Sequence, residues 1–325
     1  MLINKVTSSN TGNHPLKRLL PAILAIALPL ASGVTIAETY GFSQIGSESG
    51  WRTSETESIK AEAKRQGIDL KFSDAQQKQE NQIKAVRSYI AQGVDGILLA
   101  PVVETGWDQV LKEAKRAKIP VVLIDRGVNA DPSLYLTKIA SDFTEEGSLA
   151  AAWLAAKTSG NCDIVELQGT VGSSAAIDRK TGFETVIKSF PNMKIIRSQS
   201  GNFTRAGGKE VMESFLKAEN GGKDICAVYS HNDDMALGAI LAIKEAGLKP
   251  SKDLLVVSID AVPDIFKAMS EGEANATIEL NPHLGGPAFE AIRQAAAGKE
   301  VPKWIKANGP LYLPDTAATE YQKRK

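Results

Sequence analysis

The sequence contains few cysteine and histidine residues, the side chains that most often bind transition metals. Its 325 residues include only two cysteines and three histidines, so a cysteine-based metal site lacks ligands. It has no phosphate-binding P-loop and no G-x-G-x-x-G segment after a predicted strand. Basic and acidic residues balance at 38 each, which gives no indication of a nucleic-acid partner. These absences offer no support for a metal, a cofactor or a nucleic acid.

The one long apolar run lies near the N-terminus, directly after Lys17 and Arg18. The run LLPAILAIALPLA has the length of the hydrophobic segment of a secretory signal, and Thr35 and Ala37 suit a cleavage site. The alternative is a membrane anchor, but the run is short for a span of ~20 residues and contains two prolines. We therefore predict a signal peptide over residues 1–37 and export of the remaining chain to an oxidising compartment.

The two cysteines fit such a compartment. Cys162 and Cys226 each precede or open an apolar run, and neighbouring parallel strands could bring them together. We predict a disulfide between them; two buried thiols are the alternative.

Short apolar runs alternate with amphipathic helical patterns through the rest of the chain. One series extends from YGFSQI to PVVLID, and a second from CDIVELQG to LLVVSID. Continuous apolar strands between such helices indicate parallel sheets covered on both faces. We predict an α/β fold with two doubly wound domains. A helix and a strand after the second series suggest that the chain returns to the first domain before it ends in the second.

Polar and aromatic side chains follow many of the predicted strands. Ligands of open parallel sheets bind at the carboxyl ends of strands, where these side chains converge. The carboxylates, amides and guanidinium groups make paired hydrogen bonds that match adjacent sugar hydroxyls, and aromatic rings cover apolar sugar faces. The candidate residues are Glu48, Ser49, Trp51, Arg52, Asp125, Arg126, Arg179, Phe203, Asn232 and Asp260.

Each candidate also has a structural interpretation. The aspartates could cap strand ends or form surface ion pairs, Arg179 could be a solvated helix residue, and the aromatic rings could belong to the core. His231 is expected to be a packing or surface residue rather than a catalytic base. Asp125 and Asp260 could be the carboxylate pair of a glycosidase. However, Arg126 beside Asp125 favours its ionised form, which does not suit a general acid.

The chain resembles the periplasmic sugar-binding proteins of the ribose and galactose type, the solute receptors of ABC importers. The resemblance covers essentially all of the chain after the predicted signal. Segments such as GFSQIGSESGWR, GILLAPVVETGW and IIRSQSGNFTR narrow it to the galactofuranose-binding members. Its shorter marks are DR at Asp125–Arg126, DR at Asp178–Arg179, HNDDMALGAI with Asn232, and SIDAVPD with Asp260.

The resemblance implies a type I periplasmic binding protein fold, with two lobes joined by a three-strand hinge. The N-terminal lobe would comprise residues 38–140 and 283–308, and the C-terminal lobe residues 141–282 and 309–325. A monosaccharide, galactofuranose by the narrower match, would be enclosed between the lobes of a monomer that docks on an inner-membrane ABC permease. The implied ligand set is the ten candidates together with Gly50 of the SGWR segment.

One position departs from the ribose-type pattern. Relatives of that type have paired aromatic residues where this chain has Trp51 followed by Arg52. An arginine in place of the second ring favours a ligand with a polar exocyclic arm. We place both residues in a loop after the first strand, and we expect Arg52→Ala to weaken binding with little effect on folding.

Other functions remain open at this point. A glycosidase would turn its ligand over. A sugar-responsive repressor shares the two-lobe core but has an N-terminal helix-turn-helix, where this chain has a signal-like leader. A receptor for ribose or galactopyranose, or a sensor that reports to a chemoreceptor, would use the same fold.

Overall fold

The computed structural model describes residues 37–325. The predicted signal peptide, apart from its last residue, lies outside the described residues. In the described part the chain forms two six-stranded sheets flanked by helices, and no helix there combines the length and apolar character that crossing a bilayer requires. The strands are β1 (Thr39–Gln44), β2 (Asp69–Asp74), β3 (Gly96–Leu99), β4 (Val121–Ile124), β5 (Thr137–Ala140), β6 (Asn161–Gln168), β7 (Asn192–Ser200), β8 (Ala227–Ser230), β9 (Leu255–Asp260), β10 (Ala276–Leu280), β11 (Trp304–Lys306) and β12 (Asn308–Tyr312).

The α-helices follow the strands in near-regular alternation. The first of them, α1, shows how its two ends are fixed: the Ser49 hydroxyl accepts a hydrogen bond from its first turn, and Gly67 ends it with a left-handed φ of 71°. The helices are α1 (Gly50–Gln66), α2 (Gln79–Gln92), α3 (Asp108–Arg116), α4 (Phe143–Thr158), α5 (Ser174–Ile187), α6 (Arg205–Ala218), α7 (Asp233–Glu245), α8 (Pro263–Ser270), α9 (Gly285–Ala296) and α10 (Pro314–Arg324).

The first sheet has the strand order β11-β5-β4-β3-β1-β2, and every pair in it is parallel. The second sheet has the order β12-β10-β9-β8-β6-β7 and is parallel except where β12 runs antiparallel to β10. Apolar clusters cover both faces of each sheet. The predicted fold class, two doubly wound α/β lobes, is confirmed. We call the elements around these sheets the first and second lobes.

The chain passes between the sheets three times. It leaves the first sheet after β5 and the second after β10, where α9 returns to pack against α1 and β4. It finally crosses from β11 to β12 through the single residue Ala307. The short strands β5 and β11, which lie at one side of the first sheet, were not predicted because their sequences, TKIA and WIK, include lysine and form no continuous apolar run.

The predicted disulfide is present in the structure. Cys162 and Cys226 are bonded, with their Cα atoms 5.3 Å apart. Cys162 lies near the start of β6 and Cys226 directly before β8, and these strands are parallel neighbours. The bond therefore lies at the amino ends of the strands, away from the edge where the candidate site residues converge.

Candidate functional site

A small cavity lies where the carboxyl ends of both sheets face each other. The strand order reverses beside β1 in the first sheet and beside β6 in the second. Ligands of doubly wound folds bind at such reversal points. The cavity contains ten of the eleven predicted residues. It is lined by Glu48, Ser49, Trp51, Arg52, Asp125, Arg126, Ala175, Arg179, Phe203, Asn232, Asp260 and Leu280.

Gly50 is the predicted residue that does not line the cavity. It is the exposed first residue of α1, and its N–H donates a 2.8 Å hydrogen bond to Asp234 Oδ2 of the second lobe. The loop that follows β1 is shorter than the sequence predicted, because α1 begins at Gly50. Trp51 and Arg52 thus lie in the first turn of a helix, and Ser49 is occupied as its cap through a 3.1 Å bond from Arg52 N.

Arg52 is held by three carboxylates. Its Nε lies 3.1 Å from Glu48 Oε1, its Nη1 2.5 Å from Glu55 Oε2 and its Nη2 2.6 Å from Asp125 Oδ2. The Arg52 side chain is 3% exposed, and its guanidinium carbon lies 4.9 Å from the centre of the Trp51 ring. The sequence suggested that the Arg52 guanidinium is available to a ligand, but each of its three nitrogen atoms already pairs with a carboxylate of the protein.

Trp51 connects the two lobes. Its indole Nε1–H donates a 2.6 Å hydrogen bond to the carbonyl of Leu280, the last residue of β10. Its ring packs with an apolar cluster of the second lobe that includes Phe203 and Val262. Trp51 therefore combines the core role and the cavity-lining role that the sequence left as alternatives.

Asp125 and Arg126 follow β4. Arg126 Nη1 donates to the Val102 carbonyl at 3.2 Å, and its Nε lies 3.6 Å from Asp125 Oδ2, beyond hydrogen-bond distance. Burial and the neighbouring charge of Arg52 lower the pKa of Arg126 to about 10. The Arg126 guanidinium covers the ring of Phe203 from the other lobe, 5.0 Å from its centre.

The second lobe repeats this pattern around Arg179, on α5. Arg179 Nε lies 2.8 Å from Glu146 Oε2, and Nη1 donates to the carbonyl of His231 at 2.6 Å. Its Nη2 lies 3.7 Å from Asp260 Oδ1, and its guanidinium carbon lies 5.0 Å from the centre of the Phe143 ring. Burial raises the pKa of Asp260 well above its ordinary value, although Arg179 opposes the shift.

His231 has the packing role that was predicted for it. It is fully buried, and its Nε2 lies 3.0 Å from Glu166 Oε1. Glu166 also accepts from Lys180, Gln168 and Ser198. This network holds His231 in place, and the His231 carbonyl accepts the hydrogen bond from Arg179 Nη1.

Phe203 and Asn232 support each other. Asn232 caps α7 through a 3.0 Å bond from Met235 N to its Oδ1, and its Nδ2 donates to the Phe203 carbonyl at 3.1 Å. A Cβ atom at Gly169 would lie 1.9 Å from the Phe203 ring. The position of the ring therefore requires glycine at 169.

Three lining residues have backbone conformations that non-glycine residues rarely adopt. The φ angles are 61° at Asp125, 62° at Phe203 and 127° at Asp260. Such strain persists only where surrounding contacts impose it, and it clusters at functional sites. Here it directs three side chains from two sheets towards one cavity.

The cavity also collects buried polar atoms without a protein partner. They include two acceptors, Glu48 Oε2 and Asp125 Oδ1, and two donors, Arg126 Nε and Arg179 Nη2. A buried polar atom without a partner costs ~1–3 kcal/mol. A ligand that both donates and accepts hydrogen bonds would satisfy all four. No group of three or more His, Cys, Asp or Glu side chains within residues 37–325 is arranged to hold a metal ion.

Hydrogen bonds between the lobes surround the cavity. Besides the Gly50–Asp234 bond, Gly127 N–H donates to Ser174 Oγ at 2.9 Å, and Glu104 N–H donates to the Gly172 carbonyl at 2.9 Å. The structure is therefore a closed arrangement in which both lobes touch at the rim.

Four residues of the site and its support were not predicted. Ala175 and Leu280 line the cavity without polar groups, so nothing in their side chains distinguishes them from core residues. Glu55 and Glu146 lie within the helices α1 and α4, where glutamate is ordinary. Their burial becomes visible only in the fold. Burial raises the pKa of Glu55 to about 7.

Comparison with known proteins agrees with this fold. Residues 40–300 match the model of the periplasmic binding protein domain family. The chain is 59% identical over 313 residues to the galactofuranose-binding protein YtfQ of Escherichia coli, covering 95% of this chain and 98% of that protein.

Two solved structures extend the comparison. The periplasmic binding protein component of the arabinose ABC transporter of Shewanella sp. ANA-3, bound to α- and β-L-arabinofuranose, is 67% identical with a TM-score of 0.86, covering 88% of this chain and 95% of that one. A Mycobacterium smegmatis protein in complex with β-D-fucofuranose is 48% identical with a TM-score of 0.85, covering 89% and 95%. The chain belongs to the periplasmic binding protein family.

Proposed function

We propose that this protein is the periplasmic receptor of a sugar ABC importer and encloses one furanose monosaccharide, galactofuranose first, between its lobes. The observation that carries the proposal is the set of four unpartnered atoms in the cavity. Two of them are acceptors and two are donors, and each lobe contributes to the set. A sugar hydroxyl both donates and accepts, so neighbouring hydroxyls can pair with an arginine and a carboxylate together.

Other ligand classes match this set less well. A metal ion would leave the Arg126 and Arg179 donors unpaired, and a phosphate would face the carboxylates of Glu48 and Asp125. The rings of Trp51 and Phe203 suit the apolar face of a sugar. A neutral polyol therefore satisfies both the polar and the apolar parts of the lining.

The furanose form is suggested by what the relatives bind. Galactofuranose, fucofuranose and L-arabinofuranose have the same configuration at every ring carbon from C2 to C4 and differ only in the arm attached to C4. All three arms carry a hydroxyl on the first carbon. We infer that the cavity recognises this ring and this hydroxyl, and that the rest of the arm decides among the three sugars.

Calorimetric titration tests the proposal. D-Galactose, D-fucose and L-arabinose are expected to bind, and D-ribose and D-glucose to bind at least tenfold more weakly, because mispaired hydroxyls leave buried groups unsatisfied. The ring form follows from the 13C shift of C1-labelled sugar in the bound state. Binding of a pyranose, or equal binding of ribose, would contradict the furanose assignment.

L-Arabinofuranose is the second candidate ligand. The 67% identity to the Shewanella protein favours it, while the 59% identity to YtfQ favours galactofuranose. Native mass spectrometry of the protein as purified from its periplasm separates the two, because retained pentose and hexose differ in mass by one CH₂O unit.

The transport cycle also belongs to the proposal. The ligand set of Glu48, Ser49, Trp51, Arg52, Asp125, Arg126, Arg179, Phe203, Asn232 and Asp260 comes from both lobes, so a bound sugar would favour closure. The closed monomer would then dock on an inner-membrane permease after export and cleavage of residues 1–37. N-terminal sequencing of the exported protein should begin at Glu38, and X-ray scattering should show compaction when sugar is added.

A further inference from the structure

Two buried glutamates lie one layer behind the cavity, and neither lines it. Glu55 on α1 has no exposed surface, and Glu146 on α4 is 3% exposed. Each contacts one cavity-lining arginine, Glu55 with Arg52 and Glu146 with Arg179. The two lobes thus use the same arrangement, an arginine at the cavity with a buried glutamate behind it.

Glu55 is itself fixed by the first strand. Its Oε2 accepts from Arg52 Nη1 at 2.5 Å and from the Gln44 amide nitrogen at 3.0 Å. The same Gln44 nitrogen donates to Thr56 Oγ1 at 3.0 Å, and the Gln44 oxygen accepts from Ile45 N at 2.8 Å. One carboxylate oxygen of Glu55 is therefore held at the end of β1, while the other, Oε1, is buried without a partner.

Glu146 is fixed by the contact between two helices. A Cβ at Gly147 of α4 would lie 2.1 Å from the Arg179 carbonyl oxygen, and a Cβ at Gly182 of α5 would lie 2.0 Å from the Thr144 carbonyl oxygen. Only glycine allows the two backbones to approach this closely. Their contact places Glu146 Oε2 at 2.8 Å from Arg179 Nε.

Both glutamates act on side chains that would otherwise be flexible. An arginine side chain has about 2 kcal/mol of rotamer entropy, and ordering it when a ligand arrives weakens binding. Once Glu146 holds Nε and the His231 carbonyl holds Nη1, the unpartnered Nη2 of Arg179 remains for a ligand. Glu55 holds Nη1 of Arg52, while Glu48 holds Nε and Asp125 holds Nη2.

We propose that Glu55 and Glu146 are positioning residues that orient Arg52 and Arg179 for the sugar without touching it. The inference rests on the proposed function, since it concerns the same cavity. A merely structural role predicts a different result: loss of either carboxylate would lower stability and leave the sugar affinity unchanged.

The variants Glu55→Met and Glu146→Met test the proposal, because methionine fills a similar volume without an acceptor. Each should weaken binding of the preferred furanose about tenfold. Glu55→Gln and Glu146→Gln keep an oxygen that accepts from arginine and should recover most of the affinity. Glu57→Met on the exposed face of α1 and Glu184→Met on α5 are matched controls and should bind as the wild type does.

A double-mutant cycle shows whether the effect passes through the arginines. In an Arg52→Lys background the guanidinium fork is absent, so Glu55→Met should weaken binding by less than twofold further. Arg179→Lys with Glu146→Met should behave likewise. If either methionine variant fails to fold, Glu55→Asp and Glu146→Asp, which retract the carboxylate by one methylene, take its place in the cycle.

The outcomes separate the two proposals. If the wild type binds a furanose while the methionine and aspartate variants bind equally well, the positioning role is wrong and the proposed function stands. Additive losses in the arginine-to-lysine backgrounds would also overturn the positioning role. If the wild type binds no sugar in the panel, the proposed function and this inference fail together.

Discussion

The guanidinium carbon of Arg126 lies 5.0 Å from the centre of the Phe203 ring, and the two residues belong to opposite lobes. Arg126 is 3% exposed and Phe203 is 4% exposed. A cation–π contact that is removed from water contributes about 2 kcal/mol or more, against 0.5–1 kcal/mol for an exposed one. This pair therefore joins the lobes at a wall of the cavity.

Phe203→Leu should weaken sugar binding about tenfold, because leucine keeps apolar volume but offers no ring face to Arg126 or to the sugar. Calorimetry measures the change. Phe72→Leu is the control, since the Phe72 ring holds Lys60 at 4.2 Å on the surface of the first lobe. Equal affinity of the Phe203 variant and the wild type would show that the ring is only a core residue.

Asp234→Ala should weaken binding about tenfold or more without changing the cavity lining. Asp234 Oδ2 accepts from Gly50 N–H across the lobes at 2.8 Å, and a hydrogen bond to a charged group contributes about 1.5–3 kcal/mol. Its loss should appear as faster sugar release in stopped-flow measurements.

Asp264→Ala is the matched control for this contact. Asp264 shares Arg205 with Asp234 but is exposed and makes no bond to Gly50. If both variants release sugar at the same rate, the loss comes from Arg205 and not from the contact between the lobes.

The sequence was most informative where a residue's role depends on its position after a strand. Asp125, Phe203 and Asp260 were placed at the cavity because parallel strands end at one edge, and the structure brings them together there. The sequence did not show that the Arg52 guanidinium is already paired within the protein. Its partners Glu55 and Asp125 lie 3 and 73 residues away, and periodicity gives no distance between side chains on different elements.

Arg52→Ala should lower the free energy of unfolding by about 3–5 kcal/mol, because three carboxylates would lose their buried cation. This replaces the sequence-based expectation that the substitution leaves folding nearly unaffected. Urea unfolding without sugar measures it. Arg65→Ala on the same helix is the control: Arg65 is 70% exposed and pairs with Glu62 at the surface, so its loss should change stability by less than about 1 kcal/mol.

The pH dependence of stability should show the effect of Asp233. Its carboxylate is fully buried, accepting from Ser258, Thr277 and Val262 N, and burial raises its pKa to about 7. The folded protein then binds this proton more tightly than the unfolded chain does. The stabilisation is complete below about pH 4 and decreases as the pH rises to about 7, by up to about 1.4 kcal/mol per unit.

The variant Asp233→Asn lacks this titration. Wild-type stability minus variant stability, from urea unfolding at a series of pH values, should therefore fall between about pH 4 and pH 7. A difference that is constant with pH, or that rises, would show that Asp233 is ionised throughout.

Replacing both cysteines with serine should lower stability and leave binding intact. The disulfide closes a loop with a sequence separation of 64 residues, which corresponds to about 4 kcal/mol in the chain-entropy model. Because the bond lies at the amino ends of β6 and β8, the cavity at the opposite edge should keep its sugar affinity. A large loss of affinity in the folded double variant would contradict this separation.

The strand β11 pairs with β5, whose partner residues lie more than 160 positions earlier in the chain. During synthesis the first sheet therefore keeps an open edge at β5 until nearly the whole protein has left the ribosome. An open strand edge is a template for intermolecular pairing. A chain truncated before Trp304 would keep that edge permanently, so we expect it to aggregate even though its cavity residues are all present.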